Sequence, residues 1–404
     1  MKRILLINVS GVDEPGVTTA LTSTMARYQV NVLDIGQAVI HNTLSLGLLV
    51  EIPNELIEDE LRNAIEKSVT QFSVRTTFTP VLGENYESWV GEQGKSRYII
   101  TLLARKVTAE HLARVTAVVR EFGLNIDGIN RLSGRIPLVD LPTTHTKACV
   151  EFSVRGLPTD IVEFRSELLH LASDLDIDLA FQEDNKFRRH RRLVVFDMDS
   201  TLIEAEVIDE LAKAAGVGEE VSAITERAMA GELDFSESFR ERVGLLKGLD
   251  SSVLEELANN LPITEGAENL IGTLKSLGYR TAIVSGGFEY FGRHLQQLLG
   301  IDYVYANQLD IEDGRVTGRV VGEIVDGKRK AELVRELALA EGVDLEQVIA
   351  VGDGANDLPM LGIAGLGIAF RAKPLVKKSA SHSISTLGLD GILYLLGISD
   401  RYHQ

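Results

Sequence analysis

The sequence predicts an α/β protein built around a doubly wound parallel sheet with a small helical insertion, preceded by two ferredoxin-like α+β domains. Three observations carry this reading. First, the apolar runs LVVFDMDST (193–201), TAIVSGGF (281–288) and VIAVGDGAND (348–357) alternate with helical segments, and each ends in a polar, mostly Gly-rich turn. Short buried runs of this kind, separated by helices, are the pattern of a parallel sheet. Second, the N-terminal part repeats itself at a constant spacing: Arg3-Ile4-Leu5-Leu6 aligns with Arg97-Tyr98-Ile99-Ile100, Asn31-Val32 with Asn125-Ile126, and Ile35 with Ile129. Third, 404 residues with 45% apolar content exceed what one hydrophobic core organises.

Each repeat opens with a short apolar strand. A helical pattern follows, carried by Val17, Leu21, Met25 and Tyr28 in the first copy and by Leu112, Val115, Val119 and Phe122 in the second. Further strands are predicted near Leu46–Ile52 and Ala148–Val154, and second helices over Glu55–Val69 and Pro158–Ser173. The order β-α-β-β-α-β is that of a one-sheet, two-helix sandwich. The predicted domains are 1–85, 95–184 and 185–404, with a helical insertion at 203–262. Asp313-Gly314 between β-like runs in Tyr305–Gly322 predicts a hairpin at the edge of the core sheet.

The formal net charge of −18 argues against nucleic acid as a partner, because a phosphate backbone is repelled by most of such a surface. The lone Cys149 forms no internal disulfide. No apolar run approaches the roughly 20 residues of a membrane span, and the apolar start, ended by Asp13 and Glu14, is too short for a secretory signal. A cytoplasmic protein without a membrane partner is expected. The basic run Lys186–Arg192 reads as a solvated linker or as a strand edge packed on acidic neighbours.

In doubly wound sheets the ligand lies beyond the carboxyl ends of the strands, and all three runs place polar residues there. Asp197 and Asp199 follow the buried stretch Leu193–Phe196, while Asp353 and Asp357 flank Gly354 and Asn356. Buried carboxylates need a partner or a cation. Hard oxygen ligands from two strand ends suit Mg²⁺, and Asp197, Asp199 and Asp353 are the expected ligands. Ser285-Gly286-Gly287 offers a hydroxyl and backbone amides to phosphate oxygens. Lys330 can neutralise phosphoryl charge and orient a carboxylate.

Together, DMDST, SGG, the lysine and GDGAND resemble the four motifs of the haloacid dehalogenase-like (HAD) phosphohydrolases over roughly 185–400. The resemblance implies that Asp197 attacks phosphorus to form an aspartyl phosphate. It also implies that Asp199 protonates the leaving alcohol and then deprotonates the hydrolytic water, with Asn356 among the substrate-binding residues. An acid at position 199 favours a phosphatase over other chemistries of the family.

Specificity is expected from the insertion. Arg242 can clamp a carboxylate, Glu206 can receive an ammonium group, and Phe235 with Met229 can form an apolar lid. This set describes O-phospho-L-serine as substrate, and the cap is similar at these positions to that of phosphoserine phosphatases. At the N-terminus, Gly11, Asp13, Pro15 and Gly16 resemble the G-x-D-x-P-G turn of ACT domains, which bind amino acids and pair side by side. The resemblance implies a homodimer and an effector site at Asn8, Gly11, Asp13 and Gly16, with L-serine as the natural effector. The second repeat departs from the motif, having Arg105, Ala109 and Glu110 where the first has Gly11, Pro15 and Gly16. Two other readings stay open: the same chemistry on phosphothreonine or with homoserine as acceptor, and an amino-acid sensor with a vestigial catalytic domain.

Overall fold

The computed structural model describes residues 3–54, 57–91, 94–135, 146–229 and 232–402. It comprises two compact units, residues 1–95 and 96–404.

The first unit contains β1 (Arg3–Val12), α1 (Val17–Arg27), β2 (Asn31–Ile40), β3 (Thr43–Ile52), α2 (Glu58–Val69), β4 (Val74–Val81) and α3 (Gly83–Gly91). Its antiparallel sheet has the order β2-β3-β1-β4. Leu5, Ile7 and Val9 alternate with outward residues along β1 and pack on Leu21, Met25, Leu61 and Ile65 of the two helices. The predicted helix from Glu55 begins at Glu58, and positions 55 and 56 lie outside the described residues. Helix α3 buries none of its side chains, so no apolar periodicity announces it.

The second unit repeats the arrangement with β5 (Arg97–Ala104), α4 (Ala109–Glu121), β6 (Asn125–Arg131), β7 (Ala148–Arg155), α5 (Ile161–Leu175) and β8 (Asp178–Glu183), in the order β6-β7-β5-β8. Helix α5 starts later than the apolar pattern suggests because Asp160 caps it, accepting hydrogen bonds from the Val162 and Glu163 amides. The two repeats differ in one respect that matters. Strand β1 alternates, whereas every residue of β5 after Arg97 is buried. One face of the second sheet covers its own helices through Ile100 and Leu102, and the other contributes Leu103, Cys149 and Ala180 to the core of the C-terminal sheet.

That C-terminal sheet comprises β9 (Leu193–Phe196), β10 (Arg280–Phe288), β11 (Tyr303–Glu312), β12 (Arg315–Val321), β13 (Val348–Gly352), β14 (Leu366–Phe370) and β15 (His382–Ile384). Its order is β12-β11-β10-β9-β13-β14-β15, parallel except for the edge strand β12. The β11–β12 hairpin turns at Asp313 and Gly314, both at positive φ (50° and 73°), the geometry that Asp-Gly favours. Between β9 and β10 lie α6 (Val207–Ala215), α7 (Gly218–Met229), α8 (Phe235–Leu245) and α9 (Ser252–Asn259), a helical cap, followed by α10 (Ala267–Ser276). Further helices are α11 (Glu289–Leu299), α12 (Gly327–Ala340), α13 (Leu358–Ile363) and α14 (Pro374–Ser379). The chain enters and leaves the cap through a two-stranded stem: Ile203 bridges Ile263, Glu204 N donates to Pro262 O (2.8 Å), and Thr264 N donates to Leu202 O (3.0 Å).

The basic run is part of this packing. Arg188 and Arg191 are buried. Arg188 pairs with Glu151 of β7, Arg191 donates to Glu346 O, and Arg192 N donates to Gln347 O. Of the two sequence readings, packing against acidic neighbours describes Arg188, and a solvated linker describes neither buried arginine.

Candidate active site

The carboxyl end of β9 fixes the site. All four residues of β9 are buried between β10 and β13, so the strand is held on both sides. Asp197 N still donates to Val351 O (2.8 Å), and the chain then leaves the sheet in a wide turn over Met198–Leu202 with Ser200 at φ 53°. This turn places the buried Asp197 side chain at the sheet rim. Its Oδ1 accepts from Met198 N (2.7 Å), and its Oδ2 lies 2.8 Å from Lys330 Nζ.

Lys330 has no solvent exposure and lies in the first turn of α12, which Asp326 caps by accepting from Arg329 N. Its ammonium group also lies 2.6 Å from Asp357 Oδ1. Burial works against the charge, but Asp197 and Asp357 outweigh it and raise the lysine pKa above its usual value. Asp357 Oδ2 accepts from Gly354 N (2.9 Å), which folds the loop after β13 back on itself.

One ammonium group thus serves several acids. Carboxylate oxygens of Asp197, Asp353 and Asp357 come within 4.8 Å of one another. Burial, then the charges of Asp197 and Asp357, push Asp353 up to about 8. Burial and Asp197 push Asp357 up to about 7 against the pull of Lys330. Crowded, poorly hydrated oxygens short of positive charge fit a hard divalent cation. Asp197 and Asp357 each spend one oxygen on Lys330 and the other on a backbone amide, whereas the Asp353 carboxylate makes no such bond among the described residues. The Asp199 side chain points elsewhere: its Oδ1 accepts from Val207 N (3.1 Å) at the start of the first cap helix. Burial, then Glu206 and Asp197, raise its pKa well above the usual carboxylate value, which favours a protonated acid.

At the end of β10, Ser285 Oγ accepts from Gly287 N (3.0 Å). The glycines here are required by contact: a Cβ on Gly287 would sit 2.4 Å from Asp199 Oδ2, and one on Gly286 would sit 2.9 Å from the Phe235 ring. The sequence reading missed Asn307. It is buried, donates to Gly286 O (2.8 Å) and accepts from Val325 N (2.9 Å), holding the Ser285–Gly287 turn against the strand beside it. The sequence offered no distinguishing signal for it, because its strand also carries Gln308, Asp310 and Glu312.

The cap closes over a cavity of about 810 Å³ whose lining includes Asp197, Asp199, Asp353, Ser285, Gly286 and Asn356 below, with Glu206 and Arg242 above. Lys330 lies beneath this floor, behind Asp197. Glu206 Oε1 accepts from Ser200 Oγ (2.8 Å). Arg242 Nε makes a long bond to Ser238 O (3.4 Å), and the guanidinium has no other hydrogen bond among the described residues. Phe235 lines the cavity, stacked on Phe239 at 6.0 Å. The side chain of Met229 lies outside the described residues.

In the first unit, Gly11 (φ 156°) lies so close to the β4 edge that a Cβ would meet Ser73 O at 2.2 Å, and Gly16 (φ 103°) precedes α1. Asp13 N donates to Asn42 O (2.8 Å), and Asn8 lies on the exposed face of β1. The structure therefore places Gly11, Asp13 and Gly16 in one β1–α1 turn, with Asn8 on the strand leading into it.

Comparison with known proteins agrees with this architecture. Residues 194–362 match the family model of haloacid dehalogenase-like hydrolases, and residues 3–79 and 96–182 each match an ACT domain model. The chain is 43% identical over 395 residues to the phosphoserine phosphatase of Streptomyces coelicolor, covering 98% of this chain and 92% of that protein. The chain belongs to the phosphoserine phosphatase family. It is also 40% identical to the phosphoserine phosphatase SerB2 of Mycobacterium tuberculosis, covering 98% of this chain and 93% of the relative. Among solved structures, a HAD-family hydrolase of Salmonella enterica serovar Typhi aligns with TM-score 0.62 at 30% identity, over 74% of this chain and 98% of that one. The family is thus a HAD hydrolase domain preceded, in this chain, by two ACT domains. Among the described residues no helix is long and apolar enough to cross a membrane.

Proposed function

We propose that the chain is a Mg²⁺-dependent phosphoserine phosphatase that hydrolyses O-phospho-L-serine to L-serine and phosphate, the final chemical step in making serine. The observation that carries this reading is the cavity itself. An arginine and a glutamate from the cap face the same space as the strand-end carboxylates, so one molecule with phosphate, carboxylate and ammonium groups can engage all three. Phosphothreonine carries the same groups with one methyl more, and the assay below compares the two.

In this mechanism Asp197 is the nucleophile. Its carboxylate forms a bond to phosphorus as the bond from phosphorus to the serine oxygen breaks, and Asp199 gives its proton to that oxygen. Water then attacks the aspartyl phosphate, Asp199 takes the proton, and the bond between phosphorus and Asp197 breaks. Lys330 keeps Asp197 oriented and offsets charge on the phosphoryl group. Ser285 Oγ and the Gly286 amide receive phosphate oxygens, and Asn356 contributes from the loop after β13. A divalent cation held by the Asp197 and Asp353 carboxylates, with Asp199 as the third residue of the expected ligand set, would lessen repulsion between nucleophile and phosphate. Arg242 binds the substrate carboxylate, Glu206 the ammonium, and Phe235 excludes water.

The reading extends to regulation and assembly. The cap is assigned to 203–262 and the ACT domains to 1–85 and 95–184. The first ACT turn, at Gly11, Asp13 and Gly16 with Asn8 beside it, is the candidate site for L-serine. ACT pairing would make a homodimer, and a cytoplasmic location suits a biosynthetic enzyme. The test is phosphate release from O-phospho-L-serine, O-phospho-L-threonine and p-nitrophenyl phosphate, with Mg²⁺ and with chelator. Metal-dependent turnover favouring phosphoserine supports the reading; turnover of p-nitrophenyl phosphate alone rejects the substrate assignment.

A further inference from the structure

The second ACT domain carries Arg105 where the first carries Gly11 of its ligand turn, and the structure shows what this side chain does. Arg105 Nη1 and Nη2 donate to Glu265 Oε1 (2.9 Å) and Oε2 (2.7 Å), a two-pronged pair. Glu265 follows the second strand of the cap stem. Its Oε2 also accepts from Arg371 Nη2 (3.3 Å), and Arg371 Nη1 donates to Glu204 Oε1 (2.6 Å). Glu204 follows the first strand of the stem, where its amide pairs with Pro262 O. Arg105 and Glu265 are partly shielded from solvent, whereas Glu204 is exposed. An alternating chain of two arginines and two glutamates therefore runs from the ACT domain across both strands on which the cap is hung.

Arg371 shows a second, independent feature. It has φ 45°, a conformation that costs a non-glycine residue free energy and persists only where its surroundings enforce it. It is enforced from the backbone by Arg371 N donating to Ile384 O (2.7 Å) and from the side chain by the two glutamates. The residues that follow, Lys373, Leu375 and Val376, form part of the rim of the substrate cavity. Glu265 is anchored too: Leu389 N donates to its carbonyl, and a Cβ on Gly388 would meet that oxygen at 2.4 Å. The anchored member is thus the one that Arg105 grips.

We propose that Arg371 is a positioning residue that ties the cap stem to the cavity rim, and that Arg105 sets its geometry from the second ACT domain through Glu265. In this arrangement the turn that binds ligand in other ACT domains acts here as a fixed arm that holds Glu206 and Arg242 over the catalytic carboxylates. The inference rests on the proposed substrate reading for its kinetic arm only.

The test uses the full chain with Arg105→Ala, Arg105→Lys and Arg371→Lys. Substrates that rely on the cap should suffer selectively. In Arg105→Ala the KM for O-phospho-L-serine is expected to rise 3- to 10-fold with kcat within 2-fold. Both constants for p-nitrophenyl phosphate, which lacks carboxylate and ammonium groups, should stay within 2-fold. Arg105→Lys keeps the charge and should recover part of the loss, whereas Arg371→Lys should raise the phosphoserine KM as Arg105→Ala does. Equal losses on both substrates would mean a purely structural role and overturn the proposal, as would unchanged kinetics. Amide hydrogen exchange of the stem peptides around 202–206 and 261–266 provides an arm independent of substrate. Exchange at least 3-fold faster in Arg105→Ala is expected, and unchanged exchange refutes the coupling. Should wild-type protein not turn over phosphoserine, the substrate reading fails, and the exchange arm decides this inference alone.

Discussion

The crowded carboxylates make a prediction whose sign is opposite to the usual one. The perturbation is removal of divalent cations by chelation, followed by thermal unfolding between pH 6.5 and 8.5. Asp353 and Asp357 have folded-state pKa values near 8 and 7, against about 4 in an unfolded chain. A carboxyl whose pKa is raised on folding contributes stability that is complete below its unfolded value and is lost as pH rises through its folded value. Each proton bound only by the folded state contributes about 1.4 kcal/mol per pH unit. Asp353 holds its proton through most of the window and Asp357 through the first part, so the metal-free protein should lose about 3 kcal/mol from pH 6.5 to 8.5. For a unit of this size that is a fall in Tm of roughly 4–5 °C. His382 does not mask the effect. Burial pushes it down to about 4, so against an unfolded value of about 6.5 it adds only about 0.4 kcal/mol of opposite sign, at the lower edge of the window. Saturating Mg²⁺ should flatten the slope by supplying the missing positive charge, and Asp353→Asn should flatten it without metal. A metal-free Tm that is constant or rises across this window would refute the electrostatic account of the site.

Further outcomes follow from the same geometry. Asp197→Asn should abolish turnover while leaving the fold intact by circular dichroism; retained turnover refutes its assignment as nucleophile. Arg242→Ala should lower kcat/KM for phosphoserine about 10- to 100-fold, the worth of a charge-assisted pair, and p-nitrophenyl phosphate hydrolysis much less. Asp178 of β8 is buried and accepts from Ser385 N (2.8 Å), Thr386 N (2.8 Å) and Thr386 Oγ1 (2.6 Å). Asp178→Ala strands these donors and should cost about 3 kcal/mol in urea unfolding. A chain starting at Ser96 should fold and keep phosphatase activity while losing any serine response. One starting near residue 185 exposes the core face that Leu103, Cys149 and Ala180 cover and should aggregate or melt far lower.

The sequence by itself determined the chemistry-bearing parts of this protein, because each is a local pattern. A buried run ending in Asp197-Met198-Asp199, the Ser285-Gly286-Gly287 turn and the loop around Asp353 are consecutive residues whose strand ends dictate where they point. The alternation of Leu5, Ile7 and Val9 likewise announced a sheet with one covered face. Long-range pairing was not legible. Nothing near Lys330 says that it sits between Asp197 and Asp357, since that depends on α12 packing beside β9 and β13. Nothing near Asn307 says that it braces the turn at Gly286. The apolar run Tyr98–Ala104, interrupted only by Thr101, did hold a signal, because a strand covered on both sides reads that way, yet its second partner could be named only from the packed molecule. The basic run Lys186–Arg192 and the departure at Arg105 show the same limit. A charged side chain is solvated by default in a sequence, and only the tertiary structure decides which carboxylate removes it from water: Glu151 for Arg188 and Glu265 for Arg105.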